Sequence, residues 1–228
     1  MPKVQIQETS LGFLRRLKKN NNRDWFAKNK ETFIEVKNNL EAFADALLTG
    51  LKTHDLIETP SGKKSLYRIY RDVRFSGDKT PYHIYLSGSF SRATKQRRGG
   101  YYFHIEPGNN YVGGGFWGPS PQDLRRIRDE IAFDAAPLRK IINSKSFISN
   151  FGQLQGEQLK TAPQGFDSTH EAIDLLRYKQ FLLVRKFTDE DVLDPSFVRH
   201  ASQTFQHMRP FFDYMSEVLT TDINGEAI

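Results

Sequence analysis

The stretch GYYFHIEPGNNYVGGGFW, residues 100–117, holds two strand-like runs on either side of a turn. The turn is PGNN at 107–110, where proline and glycine favour the backbone angles that reverse the chain. In the first run apolar and polar side chains alternate, which is typical of a β-strand. We therefore predict an antiparallel hairpin with strands over about Gly100 to Glu106 and Tyr111 to Trp117.

Other segments complete the predicted architecture. Further strands are predicted at about Ser65 to Phe75, His83 to Phe90 and Lys179 to Phe187. Apolar residues at helical spacing predict a short amphipathic helix after residue 8, a long helix ending at Gly50, a helix after Pro121 and a C-terminal helix kinked at Pro210. Together they predict an α+β fold, a single domain over 1–228 with a mainly antiparallel sheet flanked by helices, and a flexible tail at about 222–228.

Side-chain parity predicts that one face of this sheet is polar, because alternate residues of a strand point to opposite faces. The apolar face of the first predicted strand holds Tyr67, Ile69, Arg71, Val73 and Phe75. The predicted polar face holds Arg68, Tyr70, Asp72, Arg74, His83, Tyr85, Ser87, Ser89, Tyr102, His104 and Glu106. Such a face can form the floor of a polar cavity if helices or loops enclose it.

The same parity also fits a sheet face that is simply solvated, which is common in antiparallel sheets. Two features favour a site. The face is rich in Tyr, His and Arg rather than in Lys, Glu and Thr, and Gly113, Gly114 and Gly115 leave room for a ligand to approach the backbone. Those glycines equally fit a bulge or the packing of a helix, so a ligand site and a solvated face both remain open.

The segment RIYRDVRFSGDKTPYH, residues 68–83, concentrates charge on a predicted strand and turn. Arg68, Arg74 and Lys79 are suited to a phosphate or carboxylate, because arginine offers a planar two-pronged donor and lysine a point charge. Arg71 lies on the apolar parity, where an unpaired charge is costly. We expect Arg71 to form a buried ion pair with a carboxylate of a packed helix or of the following loop.

Composition limits the classes of protein to consider. The 228 residues carry a net charge of +6 and no cysteine, which excludes disulfides and thiolate chemistry and fits a reducing compartment. No apolar run approaches the roughly 18 residues of a membrane span, and MPKVQIQETS lacks the apolar centre of a signal peptide. We predict a cytoplasmic protein that does not enter a membrane.

Four stretches resemble one family of proteins. They are RIYRDVRFSGDKTPYH, GYYFHIEPGNNYVGGGFWGPS, LKTAPQGFDSTHEAIDLLRYKQF and FLRRLKKNNNRDWFAKNKETF, and they resemble the conserved hypothetical family called domain of unknown function 2461, found in bacteria and fungi. The resemblance covers nearly the whole chain and implies a single α+β domain without an established activity. His83 and Gln164 stand where the family usually has basic residues.

These observations predict a protein that binds or acts on a small anionic ligand at the polar sheet face. Ligand contacts are predicted at Arg68, Tyr70, Arg74, Lys79, Tyr82 and Tyr102. Acid, base or orienting roles are predicted for Asp72, His104 and Glu106. No metal site is predicted, since His104 and Glu106 lack a third ligand at fixed spacing, and no pattern names a cofactor.

Two alternatives remain open at this point. The basic clusters RRLKK, KQRRGG and RRIR are compatible with a nucleic-acid-associated protein, although no recognised nucleic-acid module is present. The charged strand is also compatible with a protein interaction module that has no catalytic activity.

Overall fold

The computed structural model describes residues 4–221 and 226. The N-terminal helices are α1 (Glu8–Lys19), α2 (Arg23–Lys28), α3 (Lys30–Leu51) and α4 (Gly62–Ser65). The strands are β1 (Leu86–Ser91), β2 (Gly100–Ile105), β3 (Asn110–Phe116) and β4 (Phe181–Phe187). Between β3 and β4 lie α5 (Pro121–Phe133), α6 (Ala136–Ile142), α7 (Lys145–Phe151) and α8 (Ile173–Leu176), and β4 is followed by α9 (Asp189–Leu193), α10 (Phe197–His207) and α11 (Arg209–Thr220).

The predicted α+β fold is confirmed. The strands form an antiparallel sheet in the order β1-β2-β3-β4, and the turn at 107–110 joins β2 to β3 as the sequence indicates. The predicted long N-terminal helix is divided at Asn29, whose side chain donates to the Trp25 carbonyl, so that α2 ends and α3 begins there. The C-terminal helix likewise breaks at Met208, and Pro210 lies in the first turn of α11.

The chain divides into two compact units. Among the described residues, the first unit takes in 4–90, 102–112 and 186–203, and the second takes in 91–101, 113–185 and those from Thr204 onward. Each boundary within the sheet falls inside a strand. The single domain over 1–228 stays a prediction, and the tail expected at about 222–228 lies outside the described residues apart from Glu226.

Aromatic side chains form the core of each unit. In the first unit the buried Phe43 ring packs edge-on against Phe103 and stacks on Phe197. In the second unit the Tyr101 ring packs edge-on against Phe205 and Phe212. Burial of such large rings supplies much of the hydrophobic stabilisation of each unit.

The prediction of a strand over Ser65 to Phe75 is wrong. The segment is extended but pairs only through two isolated bridges, Leu66 with Gly88 and Tyr70 with Tyr82. The ladder stops at Pro81, which accepts from the Arg71 N–H but has no N–H to donate, and the next N–H, that of Thr80, binds the Asp78 carboxylate. A partly paired segment does not keep strict parity.

The exposure of side chains in this segment also differs from the predicted alternation of faces. Ile69 is buried as predicted, whereas Tyr67 and Phe75, which were assigned to the core face, are 59% and 97% exposed. Arg71 binds a loop carboxylate, as expected, through a hydrogen bond from Nη1 to Asp78 Oδ2 at 2.6 Å. The pair is not buried, because the Asp78 side chain is 59% exposed.

The three glycines of β3 permit close packing of the sheet. A Cβ on Gly113 would lie 2.9 Å from the Leu183 carbonyl oxygen, and one on Gly114 would lie 2.7 Å from the Gly100 carbonyl oxygen. Gly115 has φ +134°, and a Cβ there would collide with the Phe181 carbonyl. These glycines are therefore explained by the close approach of neighbouring strand backbones. The helix packing that the sequence left open applies at Gly114, where a Cβ would lie 2.7 Å from the Phe212 ring of α11.

Candidate functional site

A cavity of about 370 Å³ lies in the first unit, beside the extended segment before β1. Its lining consists of Tyr67, Arg68, Tyr70, Asp72, His83, Tyr85, Ser87 and Tyr102. Half of these residues are tyrosines, whose rings are apolar on their faces and polar at one end. The volume is within the range of small-molecule sites in proteins, about 300–1,000 Å³.

The two bridges hold the lining in place. At one end the Tyr67 N–H donates to the Ser87 carbonyl, and at the other the His83 N–H donates to the Ile69 carbonyl. Between them the chain bends at residues 84–85 before β1 begins. The bend keeps the two segments from pairing as a continuous ladder over the part of the chain that lines the cavity.

The cations of this region differ in whether they are already paired. Arg74 forms a two-point ion pair with Asp72, and the Lys79 ammonium donates to the Val73 carbonyl at 3.0 Å. Arg68 lines the cavity, and its side chain makes no hydrogen bond or ion pair to any residue that the structure describes. Arg68 is therefore the cation of this group that is available to a ligand.

The Asp72 carboxylate lies at the edge of this charge arrangement. The hydrogen bonds from Arg74 lower its pKa, and the nearby charge of Arg68 adds to the shift. Asp72 is thus ionised at neutral pH, and its charge is largely matched by Arg74 rather than by Arg68.

Tyr102, His104 and Glu106 form a hydrogen-bonded row along β2 and the residue that follows it. The Tyr102 hydroxyl lies 3.1 Å from His104 Nδ1, and His104 Nε2 lies 3.1 Å from Glu106 Oε2. Asn109 Nδ2 donates to the same Glu106 oxygen at 2.8 Å. The spacing follows from the strand, because residues two apart point to the same face.

The imidazole of His104 is enclosed by rings and is only 5% exposed. The ring of Tyr111 stacks on it with centroids 4.6 Å apart, and the ring of Tyr85 lies 4.4 Å away. Burial lowers the pKa of His104 below its ordinary value of 6.5, although Glu106 opposes the shift. His104 is therefore neutral at neutral pH.

The phenols beside His104 also have shifted pKa values. Burial raises the pKa of Tyr102 far above its ordinary value, although a hydrogen bond with Ser87 opposes the shift. Burial raises the pKa of Tyr111 in the same direction. Both phenols hold their protons at neutral pH, so each can donate one hydrogen bond and accept another.

The predicted site residues fall into three groups. Arg68, Tyr70, Asp72 and Tyr102 line the cavity, while His104 and Glu106 are linked to it through Tyr102. The cavity lining does not include Arg74, Lys79 or Tyr82. Tyr82 is buried and stacks on Phe26 with ring centroids 4.0 Å apart, as part of the core of the first unit.

Four lining residues were not among the predicted site residues. His83, Tyr85 and Ser87 lay on the predicted polar face, and that parity was the signal that could have selected them. Tyr67 was assigned to the core face, and only the incomplete pairing of its segment brings it to the cavity, where its hydroxyl lies 3.0 Å from Ser89 Oγ.

The described residues contain no group of three or more His, Asp or Glu side chains placed to hold a metal ion. Within the same part of the chain, no helix combines the length and apolar character that crossing a membrane requires. In the basic clusters, Arg15 pairs with Glu8 and Asp189, Arg98 with Asp123, and Arg125 with Asp129. These three arginines are therefore balanced by carboxylates of the protein.

Comparison with known families gives one match. The family model described as a conserved hypothetical protein, DUF2461, matches residues 9–214. The chain belongs to this family. The match covers both the cavity lining and the row along β2. No curated protein and no solved structure matches the chain.

Proposed function

We propose that the cavity binds a small molecule carrying a phosphate or carboxylate next to a flat ring, with the anionic group at Arg68. The observation that carries this proposal is the guanidinium of Arg68 on the wall of a tyrosine-lined cavity, which has no hydrogen bond or ion pair with any residue between 4 and 221. Elsewhere in the segment the charges of Arg71 and Arg74 are taken up by Asp78 and Asp72. An anion that approaches the cavity thus meets one uncommitted two-pronged donor.

The tyrosines support a ligand with a flat ring rather than a bare anion. Phenol rings offer broad apolar faces for stacking, and they lose little rotational freedom when a ligand binds. Tyr67 and Tyr102 lie with ring centroids 6.3 Å apart, and Tyr70 is 53% exposed. Ser87 and His83 add polar atoms that can fix the orientation of such a ring.

Phenyl phosphate is a suitable probe, with phenol and inorganic phosphate as its two halves. We expect calorimetry to show that phenyl phosphate binds more tightly than either half. Arg68→Ala should weaken binding about tenfold or more, because a hydrogen bond to a charged group contributes about 1.5–3 kcal/mol. The melting temperature of the free protein should change little, since the Arg68 side chain is exposed.

Arg16→Ala is the matched control. Arg16 is an exposed arginine of α1 outside the cavity lining, and its loss changes the net charge by the same amount. Equal weakening in both variants, with binding to DNA at low salt, would support the nucleic-acid alternative instead. If inorganic phosphate bound as tightly as phenyl phosphate, the tyrosines would have no part in binding and the proposed ligand class would be wrong.

We also propose a cytosolic location, because a chain without cysteine is suited to a reducing compartment.

A further inference from the structure

The hydrogen bonds along the row of Tyr102, His104 and Glu106 run in one direction, which ligand binding alone does not require. Glu106 accepts from both Asn109 and His104, as an ionised carboxylate does. A neutral imidazole beside that carboxylate carries its proton on Nε2, which leaves Nδ1 as an acceptor. The Tyr102 hydroxyl 3.1 Å from Nδ1 is then the donor of that hydrogen bond.

The direction of these hydrogen bonds determines what Tyr102 offers to a ligand. Its proton points to His104, and its oxygen also has hydrogen bonds with Ser87 and Tyr111. A ligand donor that displaces Ser87, which lines the same cavity, would take one of these acceptor positions on Tyr102. An acceptor backed by an imidazole and a carboxylate has the arrangement of a general base. In such an arrangement the carboxylate orients the imidazole and stabilises its charged form.

We infer that Tyr102 is a catalytic acid–base residue, and that His104 and Glu106 are the positioning residues that relay its proton. This inference rests on the proposed function, because it needs a ligand in the same cavity. The substrate class is a ring-bearing anion with an acidic O–H or C–H group next to Tyr102. The reaction class is removal of that proton, or its return in the reverse direction.

The proton transfer is balanced within the row. The ligand proton bonds to the Tyr102 oxygen while the original phenol proton moves to His104 Nδ1. Tyr102 remains neutral, His104 becomes an imidazolium ion beside the Glu106 carboxylate, and the ligand gains one negative charge. The bond that breaks in the ligand leaves its electron pair on the ligand, where the charge of Arg68 favours it.

The surroundings of His104 are suited to a relay rather than to a permanent charge. The rings that face it are those of Tyr85, from the segment before β1, and Tyr111, from β3. Glu106 is the carboxylate that contacts it. An imidazolium ion in this enclosure is stabilised by the Glu106 carboxylate and by the faces of the neighbouring rings, whereas burial opposes a permanent charge.

The inference can be tested with 4-hydroxy-3-nitrobenzoate, which has a ring, a carboxylate and a phenol that turns yellow when it ionises. Calorimetry measures its binding, and the absorbance of the bound probe at a pH below the pKa of its phenol measures proton transfer. We expect the bound probe to be more ionised than the free probe. The increase should be lost in Tyr102→Phe and in Glu106→Gln, which keeps an acceptor for His104 but removes the charge.

Tyr178→Phe is the matched control, because it also removes one phenol hydroxyl, but Tyr178 lies outside the cavity lining and its hydroxyl donates to the Leu154 carbonyl rather than to His104. This variant should retain the increase in ionisation. In parallel, ¹⁵N spectra of the His104 ring should show the Nε2–H form in the free protein and an imidazolium ion when the probe is bound.

The outcomes separate the relay from the proposed function. If the probe does not bind to the wild-type protein, the proposed ligand class is wrong and the relay loses its substrate. If it binds to wild type and Tyr102→Phe with equal ionisation, ligand binding stands and the relay is overturned. A free protein with the proton on His104 Nδ1 overturns the relay whether or not the probe binds, because Tyr102 then cannot donate to that nitrogen.

Discussion

Arg74 holds Asp72 at two points: Nε donates to Oδ1 at 3.0 Å, and Nη2 donates to Oδ2 at 2.7 Å. This pair determines whether the cavity offers a positive charge to a ligand, because Asp72 also interacts electrostatically with Arg68. While Arg74 occupies both carboxylate oxygens, the guanidinium of Arg68 remains available to a ligand.

The first prediction concerns this pair. Arg74→Ala should weaken phenyl phosphate binding, because the Asp72 carboxylate then attracts Arg68 and repels the ligand anion. Asp72→Asn should strengthen binding for the converse reason. Each change should be a few-fold in Kd, since exposed ion pairs are screened by water. Calorimetry at low salt measures both, and two changes in the same direction would contradict this account.

The second prediction concerns the pH dependence of stability. Burial lowers the pKa of His104 in the folded protein, so the unfolded chain binds a proton that the folded protein resists. The contribution of neutral His104 is therefore present above about pH 6.5, the ordinary histidine value, and is lost as the pH falls through the lowered pKa. Urea unfolding at pH 7.5, 6.5 and 5.5 should show this loss.

Glu106→Gln tests the sign of that effect. Glu106 raises the pKa of His104 against the effect of burial, so Glu106→Gln should lower that pKa further. The free energy of unfolding should then continue to fall at pH values where that of the wild-type protein no longer changes with His104. A variant whose stability became less dependent on pH over this range would show that Glu106 does not act on His104 in this way.

The third prediction concerns Asp189, which anchors the β2–β3 hairpin. Its carboxylate accepts from the Gly108 N–H at 2.8 Å, from Asn110 Nδ2 at 2.7 Å and from Arg15 Nη2 at 2.8 Å. Asp189→Ala should lower the free energy of unfolding by about 2–3 kcal/mol, because Asn110 is buried and loses a charged acceptor. Glu8→Ala, which removes only the other carboxylate partner of Arg15, should cost much less in the same unfolding experiment.

The fourth prediction concerns Gly88, where β1 passes close to the core. A Cβ at this position would lie 2.6 Å from the Phe103 ring and 3.0 Å from the Ser65 carbonyl oxygen. Gly88→Ala should destabilise the protein by about 1–3 kcal/mol through overpacking. Phe103→Leu should reduce the free energy of unfolding less in the Gly88→Ala variant than in the wild-type protein, because the smaller side chain relieves the overpacking. A double-mutant cycle of unfolding free energies measures this difference.

The hairpin and the row along β2 could be predicted from the sequence because local rules determine them. The turn at 107–110 fixes where β2 ends, and strict alternation then places Tyr102, His104 and Glu106 on one face. These inferences need no knowledge of distant residues. The short separations within the row, 3.1 Å at both steps, are consistent with that origin.

The segment before β1 could not be predicted in the same way, because its conformation depends on which hydrogen bonds the turn after it allows. Pro81 has no N–H and Thr80 gives its N–H to Asp78, so the ladder ends and the alternation of faces ends with it. The positions of Tyr67 and Phe75 were predicted wrongly for this reason. Which arginine pairs with which carboxylate also depends on side-chain geometry that sequence spacing does not contain.

The alternation along β2 also makes the length of this strand a constraint on the chemistry. Inserting or deleting one residue between Tyr102 and Glu106 would turn the residues beyond it to the opposite face and separate the imidazole from either the phenol or the carboxylate. Substitutions at the intervening Phe103 and Ile105 would leave the row intact as long as the core accepts them. The proposed proton path is thus more vulnerable to a change in the number of residues here than to a change in their identity.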